Sequence, residues 1–340
     1  MRPGVARWAW GVATLAGLVA VSVLVLRFPW QHTFQVLAAV NVGLLATALL
    51  INLLSPLAKG WAWHLLLQPV AANRWWVAEE ANLIGTAVNS IAAGVSGEAA
   101  RISLIMRRDT VPLRPAVLSV VWSRGVEALG LGLFLVLAPL VLELPAPLRG
   151  LQIGAGAALV AALALTRVRG LGDLIAKLPA SLRAGAAELA EMSWGGRLIA
   201  PTALALVSWA AEWATFHLTL RAVHIPASYA ASFTALIAVN VGGLIRVTPA
   251  NVGVMQAALV GALVPFGVAA DQAVAGGLAL QAIEVLPVLA LAFAVAGWTG
   301  LVSPDDRSRR AARSNLSRSD GAPLPDACSV DSGRPGPSLF

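Results

Sequence analysis

The 340 residues are 58% hydrophobic and only 12% charged, with a mean hydropathy of +0.77. A soluble domain of this length carries about twice that share of charge to cover its surface, so a large soluble α-helical protein is excluded and a polytopic membrane protein is expected. The net charge of +7 comes from arginines clustered between apolar segments, a pattern of topology and anionic-lipid contact and not of nucleic-acid binding.

The first element is the apolar run from Trp8 to Leu26, behind Arg2 and Arg7. The following "RFPWQHTF" has no small-x-small cleavage pattern, so the run reads as a retained helix and not a signal peptide. A second span is expected at 34–57, closed by Lys59 and Arg74. In "KGWAWHLLLQ", Trp61 and Trp63 look like an interfacial aromatic belt. The region 78–106 then carries Asn82, Asn89, Gly94, Gly97 and Glu98 in its middle. Further spans follow at 115–142 and 150–166. The segment 170–196 is amphipathic and is expected to lie along the interface as a connector. A span at 198–220 precedes a second irregular region, 228–268, with Asn240, Gly242, Gly243, Arg246, Pro249, Asn251 and Gly253. The last span is 273–300. The chain thus divides into a membrane domain, 1–302, and a polar tail, 303–340, whose Ser, Arg, Asp, Pro and Gly predict disorder.

Neither irregular region makes one clean helix, because Gly and Pro interrupt the ladder and the polar groups need partners. With the N-terminus inside, Lys59 and Arg74 fall inside, and so do Arg107, Arg108 and Arg114. The segment between them then enters and leaves on one face, as a re-entrant helical hairpin. If 228–268 is a hairpin from the other face, the basic loop 167–197 and the basic start of the tail also fall inside. That arrangement gives about six spans plus two hairpins. The rival has both hairpins crossing, for about eight spans, and puts those two basic stretches on opposite faces. In the first arrangement the halves 8–142 and 150–300 form a pseudo-inverted repeat, a layout in which broken helices build a site near the midplane. Both irregular regions open with Ala-Val-Asn, at Ala87 and at Ala238.

Charges inside the spans are the candidate functional residues, because each is costly in hydrocarbon. They are Glu98, Arg101, Arg124, Glu127, Glu212, Arg246 and Glu284. Arg124 and Glu127 are spaced i,i+3 and share a helix face, as do Glu98 and Arg101, so each couple is expected to pair. The helix starts at "GVSGEAAR" and "TPANVGVMQ" would aim free backbone N–H groups into a cavity and favour anions such as phosphate. His32, His64, His217 and His224 are scattered, with no i,i+3 or i,i+4 couple. The single Cys328 allows neither an internal disulfide nor a thiolate cluster, so no metal or cofactor is expected. No Walker loop or Gly-x-Ser-x-Gly elbow appears.

Three stretches, "LAKGWAWHLLL", "NSIAAGVSGEAARISLIMRRDTVPLRPAVLSVVWSRGVEALGLGLFL" and "VTPANVGVMQAALVGAL", together resemble the transmembrane, flippase-like domain of the lysylphosphatidylglycerol synthase family. Asn89, Gly97, Glu98, Arg101, Arg124, Glu127, Thr248, Pro249 and Gly253 match its motifs. The chain departs from them at Ala250 and Asn251, which replace two glycines, at Gln256, where the family favours Glu, and at Gln281, where it often has Arg. The resemblance implies the lipid-translocating half alone, without an aminoacyl-transferase domain, in a bacterial inner membrane; the charge placement puts both termini on the cytoplasmic side.

The expected function is therefore translocation of a lipid with a charged or polyprenyl-phosphate-type headgroup. Its cavity would be lined by Asn89, Glu98, Arg101, Arg124, Glu127, Asn240, Arg246, Thr248, Gln256 and Glu284. The expected partners are membrane lipids. The alternatives are a membrane-embedded enzyme or an accessory subunit of a glycosyltransferase or lipid synthase.

Overall fold

Proline and asparagine set the breaks in the first described helices. The computed structural model describes residues 30–92, 96–143, 145–167, 196–243 and 251–302. Helix α1 (Trp30–Ala38) is short, and Asn41 starts α2 (Val42–Asn52) by accepting the Leu44 amide at 3.1 Å. Helix α3 (Leu54–Leu67) follows after one residue. Pro56 has no N–H for the Asn52 carbonyl, which accounts for the interruption there. Together α2 and α3 make an apolar stretch, Val42–Leu67, long enough to cross a bilayer.

The span expected at 34–57 is therefore shifted: it begins at Val42 and runs past Lys59 to Leu67. Lys59 does not close it. Its ammonium is held at 2.5 Å by Glu212, so the charge is neutralised within the bundle and the helix continues.

Helices α4 (Trp75–Ile91) and α5 (Ser96–Arg108) pack on each other as a hairpin. Its open end is tied by charge. Arg74 donates to Asp109 at 2.7 Å and to the Arg108 carbonyl at 2.9 Å, and Arg108 reaches Glu80 at 3.2 Å. The chain thus enters and leaves this hairpin at one end, where Arg74, Arg107, Arg108 and Arg114 gather. At 17 residues, α4 is about 25 Å long, close to the thickness of a hydrocarbon core.

Helix α6 (Leu113–Leu137) and helix α7 (Ala146–Arg167) follow and pack together. Helix α8 (Ile199–Ala222) is the hub, packed against α2, α3, α6 and α9. It buries Ser208, Thr215 and Thr219, which protein and not lipid surrounds. Its C-terminus closes with the Ile225 amide on the Leu220 carbonyl and the His224 amide on Arg221, with His224 left-handed at φ 60°.

Helices α9 (Tyr229–Gly242) and α10 (Val254–Leu263) form the second hairpin. It opens at the other end of the bundle, between the end of α8 and the start of α11 (Ala270–Val302). Ile225 and Val268 meet there in one apolar cluster with Leu220, Leu259 and Leu280. Among the described residues, three apolar stretches are long enough to cross a membrane: Val42–Leu67, Leu113–Leu140 and Ala270–Trp298. Shorter apolar helices lie at Leu148–Ala161, Tyr229–Gly242 and Val254–Phe266. The fold is an all-helical polytopic membrane architecture. The expected first helix at 8–26, nearly all of the 170–196 connector and the 303–340 tail lie outside the described residues.

Of the expected aromatic belt, Trp61 is exposed and stacks on Trp75 at 6.4 Å, but Trp63 is fully buried. Its indole N–H donates to Ser119 at 3.0 Å. Two tryptophans two residues apart point to different sides of α3, so they could not both face the interface.

Candidate functional site

The first turn of α5 is built by side chains of the same hairpin. Asn89, near the end of α4, accepts the Gly97 amide at 3.0 Å and donates to Glu98 at 3.2 Å. The Gly97 N–H is therefore taken and is not free for an anion. The reason is local: the Asn89 side chain is long enough to cap the facing helix across the turn. Gly97 is required there, because a Cβ would overlap the Gly85 carbonyl and the Asn89 side chain.

Glu98 is bonded by Arg124 of α6, at 2.5 Å, and not by Arg101. Arg124 also holds Glu127 at 2.8 Å, as the i,i+3 spacing predicts. One guanidinium thus bridges two carboxylates on two helices. Trp209 of α8 donates to the Glu127 carbonyl at 3.0 Å and ties this turn to the hub.

Arg101 is 3% exposed. Its guanidinium lies over the Trp63 ring, 4.4 Å from the centroid. Glu127, Glu98 and Glu79 attract it electrostatically, and Arg124 repels it. Glu79 is a site residue that the sequence did not single out. It falls at the start of the irregular region 78–106 and is buried against Gly60 of α3.

Lys59 and Glu212 form the second centre. Glu212 Oε1 accepts from Lys59 at 2.5 Å and from Ser55 at 2.7 Å, and Ser55 is bonded to Ser208 at 2.9 Å. Glu284 of α11 interacts electrostatically with both Glu212 and Lys59. Lys59 in turn interacts with Glu127 and Arg124. The two centres are therefore one electrostatic network: Glu79, Arg101, Glu98, Arg124, Glu127, Lys59, Glu212 and Glu284.

The remaining expected residues divide. Gln256 of α10 donates to Gln281 of α11 at 2.8 Å and accepts the Gly253 amide at 2.7 Å. As at Gly97, a side-chain amide takes the turn's N–H. Asn240 donates to the Leu236 carbonyl of its own helix at 2.9 Å, an ordinary back-bond. Arg246 and Thr248 lie outside the described residues. Those described contain no group of three His, Cys, Asp or Glu that could hold a metal ion.

A helical hairpin with a Gly-acid-x-x-Arg start, followed by an Arg-x-x-acid span that reaches back to it, defines a polar centre in an apolar bundle, with Arg101 buried and the bridging Arg124 44% exposed. The chain belongs to the lysylphosphatidylglycerol synthase TM region family, whose pattern matches residues 8–292. Comparison with curated proteins gives no match.

Proposed function

We propose that the chain is a lipid flippase of a bacterial inner membrane. The basic end of the bundle, with Arg74, Arg107, Arg108 and Arg114, would face the cytoplasm. The headgroup crosses between the two hairpins while the acyl or prenyl tails stay in the bilayer. The two halves of the chain work as an inverted repeat, each contributing one hairpin. The observation that carries this reading is the eight-residue charge network between helices whose outer faces are apolar. Polar groups are costly at that depth, and membrane proteins keep them where a polar species binds or passes.

The network supports a substrate with a charged headgroup. It joins helices α3, α4, α5, α6, α8 and α11, so a headgroup could be handed from one charged group to the next. The test is reconstitution into proteoliposomes with labelled phospholipids and labelled polyprenyl phosphates. Wild-type protein should equilibrate at least one of these lipids between leaflets. The double variant Arg124→Ala with Glu127→Ala should not. Wild-type rates no greater than the variant's on every lipid would reject the proposal.

A further inference from the structure

The two hairpin mouths are closed differently. Arg74, Asp109, Arg108 and Glu80 tie the first directly, with bonds between its own ends. The second mouth, between the end of α8 and the start of α11, is crossed by α1. One end of α1 is fixed to the end of α8. There His224 Nε2 donates to the Ala39 carbonyl at 2.7 Å, and the Asn41 amide donates to the Ala222 carbonyl at 2.8 Å. The other end reaches the first turn of α11, where His32 Nδ1 pairs with Asp271. The two attachments are about 10 Å apart along the helix, at 1.5 Å per residue. Helix α1 therefore lies over the mouth from one flank to the other.

The sequence of this segment suits a part that can lift. Thr33, Val36, Leu37 and Val40 recur at i, i+3, i+4 and i+7 and make one stripe. Thr33 is fully buried, and the three apolar residues pack on the cluster of Leu220, Ile225, Leu259 and Val268. Gln31, His32, Phe34 and Gln35 form the exposed side. An amphipathic helix of this kind is at home in the membrane interface, and its apolar stripe can be buried against the bundle or in lipid. Lifting it therefore does not commit apolar surface to water.

The two attachments are unequal. On the α8 side both bonds use main-chain groups, and the helix stops there. Asn41 is extended, at φ −76° and ψ 101°, and starts α2, so residues 39–41 form a joint between two helices. On the α11 side the attachment is one side-chain pair, with His32 50% exposed. Exposed pairs of this kind hold weakly. The closed position also carries a cost, because the buried Thr33 hydroxyl has no partner among the described residues. Lifting α1 returns that hydroxyl to a polar surrounding. We propose that α1 is a hinged strap that opens and closes the mouth of the second hairpin, turning at residues 39–41 and latched by His32 on Asp271. The proposal rests on the flippase reading for what passes the mouth; the motion of the strap stands independently.

The experiment uses the full-length protein in proteoliposomes, with Cys328→Ser to remove the native thiol. Spin labels are placed through Gln35→Cys on α1 and Ala269→Cys on the far flank of the mouth, both exposed positions. Pulsed electron–electron distance measurements should give two distances, one for the closed strap and a longer one for the open strap. Asp271→Asn keeps the size of the side chain and removes its charge. It should raise the ratio of open to closed about two- to fivefold, the equivalent of one exposed ion pair. A single distance, the same with and without Asp271→Asn, overturns the proposal even where lipid scrambling is normal. The second arm joins His32→Cys to Asp271→Cys with a short methanethiosulfonate cross-linker. Cross-linking should stop scrambling, and a reducing agent should restore it. Either single cysteine variant, treated alike, should scramble as before treatment. Undiminished scrambling by the cross-linked protein also overturns the strap as a gate. Two distances that respond to Asp271→Asn, with no lipid scrambled by the wild type, would uphold the moving strap and reject flippase activity.

Discussion

Asn52 donates its buried side-chain amide to the carbonyl of Ile283, 231 residues away, at 2.9 Å. That carbonyl is four residues before Pro287, which lies inside α11 and has no N–H to return to it. In an apolar bundle no water is at hand, so another helix supplies the donor. The bond fixes α2 against the middle of α11, one residue from Glu284. Asn52→Leu should therefore cost about 1–3 kcal/mol, the penalty for orphaning a buried carbonyl. Pro287→Ala should recover most of it by restoring the helical N–H. A double-mutant cycle by thermal unfolding in detergent tests this. Additive losses would show that the two residues act separately.

Gln256 and Gln281 are a second case of a pair read correctly only in three dimensions. In the sequence they are two separate departures from the family's preferred Glu and Arg. In the fold they are partners at 2.8 Å, the Gln256 amide donating to the Gln281 carbonyl oxygen. Gln256→Glu alone should destabilise, because it adds a carboxylate to a residue that is 7% exposed. Adding Gln281→Arg should restore stability to within about 1 kcal/mol of wild type. Thermal stability of the two single variants and the double variant measures this. A double variant no better than Gln256→Glu would count against the pairing.

The i,i+3 couple Arg124 and Glu127 was legible because helix geometry alone brings those side chains together. So were the two broken hairpins, because Gly and Asn recur within apolar runs at Ala87 and Ala238. Lys59 was misplaced for a physical reason. A lone Lys near the end of an apolar run reads as a loop, and the Glu212 that neutralises it is 153 residues on. Arg101 and Glu98 share spacing, but Arg124 takes Glu98, and no local rule ranks a distant guanidinium above a near one. Glu79 was hidden because its burial depends on Gly60 of another helix, a contact made by the absence of a side chain.

That contact is directly testable. A methyl at Gly60 must displace the Glu79 carboxylate, whereas one at Gly261, also in a helix, meets nothing within 4 Å. Gly60→Ala should lower the melting temperature. Gly261→Ala should be neutral or stabilising by up to about 1 kcal/mol, the helix-propensity gain of Ala over Gly. If Gly60→Ala behaves like Gly261→Ala, then Glu79 does not occupy the position assigned to it.

Lys59 and Glu212 carry the last prediction. Their bond joins α3 to the hub helix, and Ser55 and Ser208 complete the acceptor side. The side chains are 26% and 15% exposed, so the pair is largely withdrawn from solvent. Removing one partner leaves a charge among apolar helices, and Lys59→Met or Glu212→Gln should each cost about 3 kcal/mol. Removing both charges leaves Ser55, Ser208 and the neutral amide at 212, which can bond to one another, so the double variant should be less destabilised than either single. Translocation should not recover with stability, because Glu284 would lose the cation that faces it. Stability and proteoliposome scrambling, measured on the same three variants, separate the two effects. A double variant that scrambles at the wild-type rate would reduce Lys59 and Glu212 to a packing device.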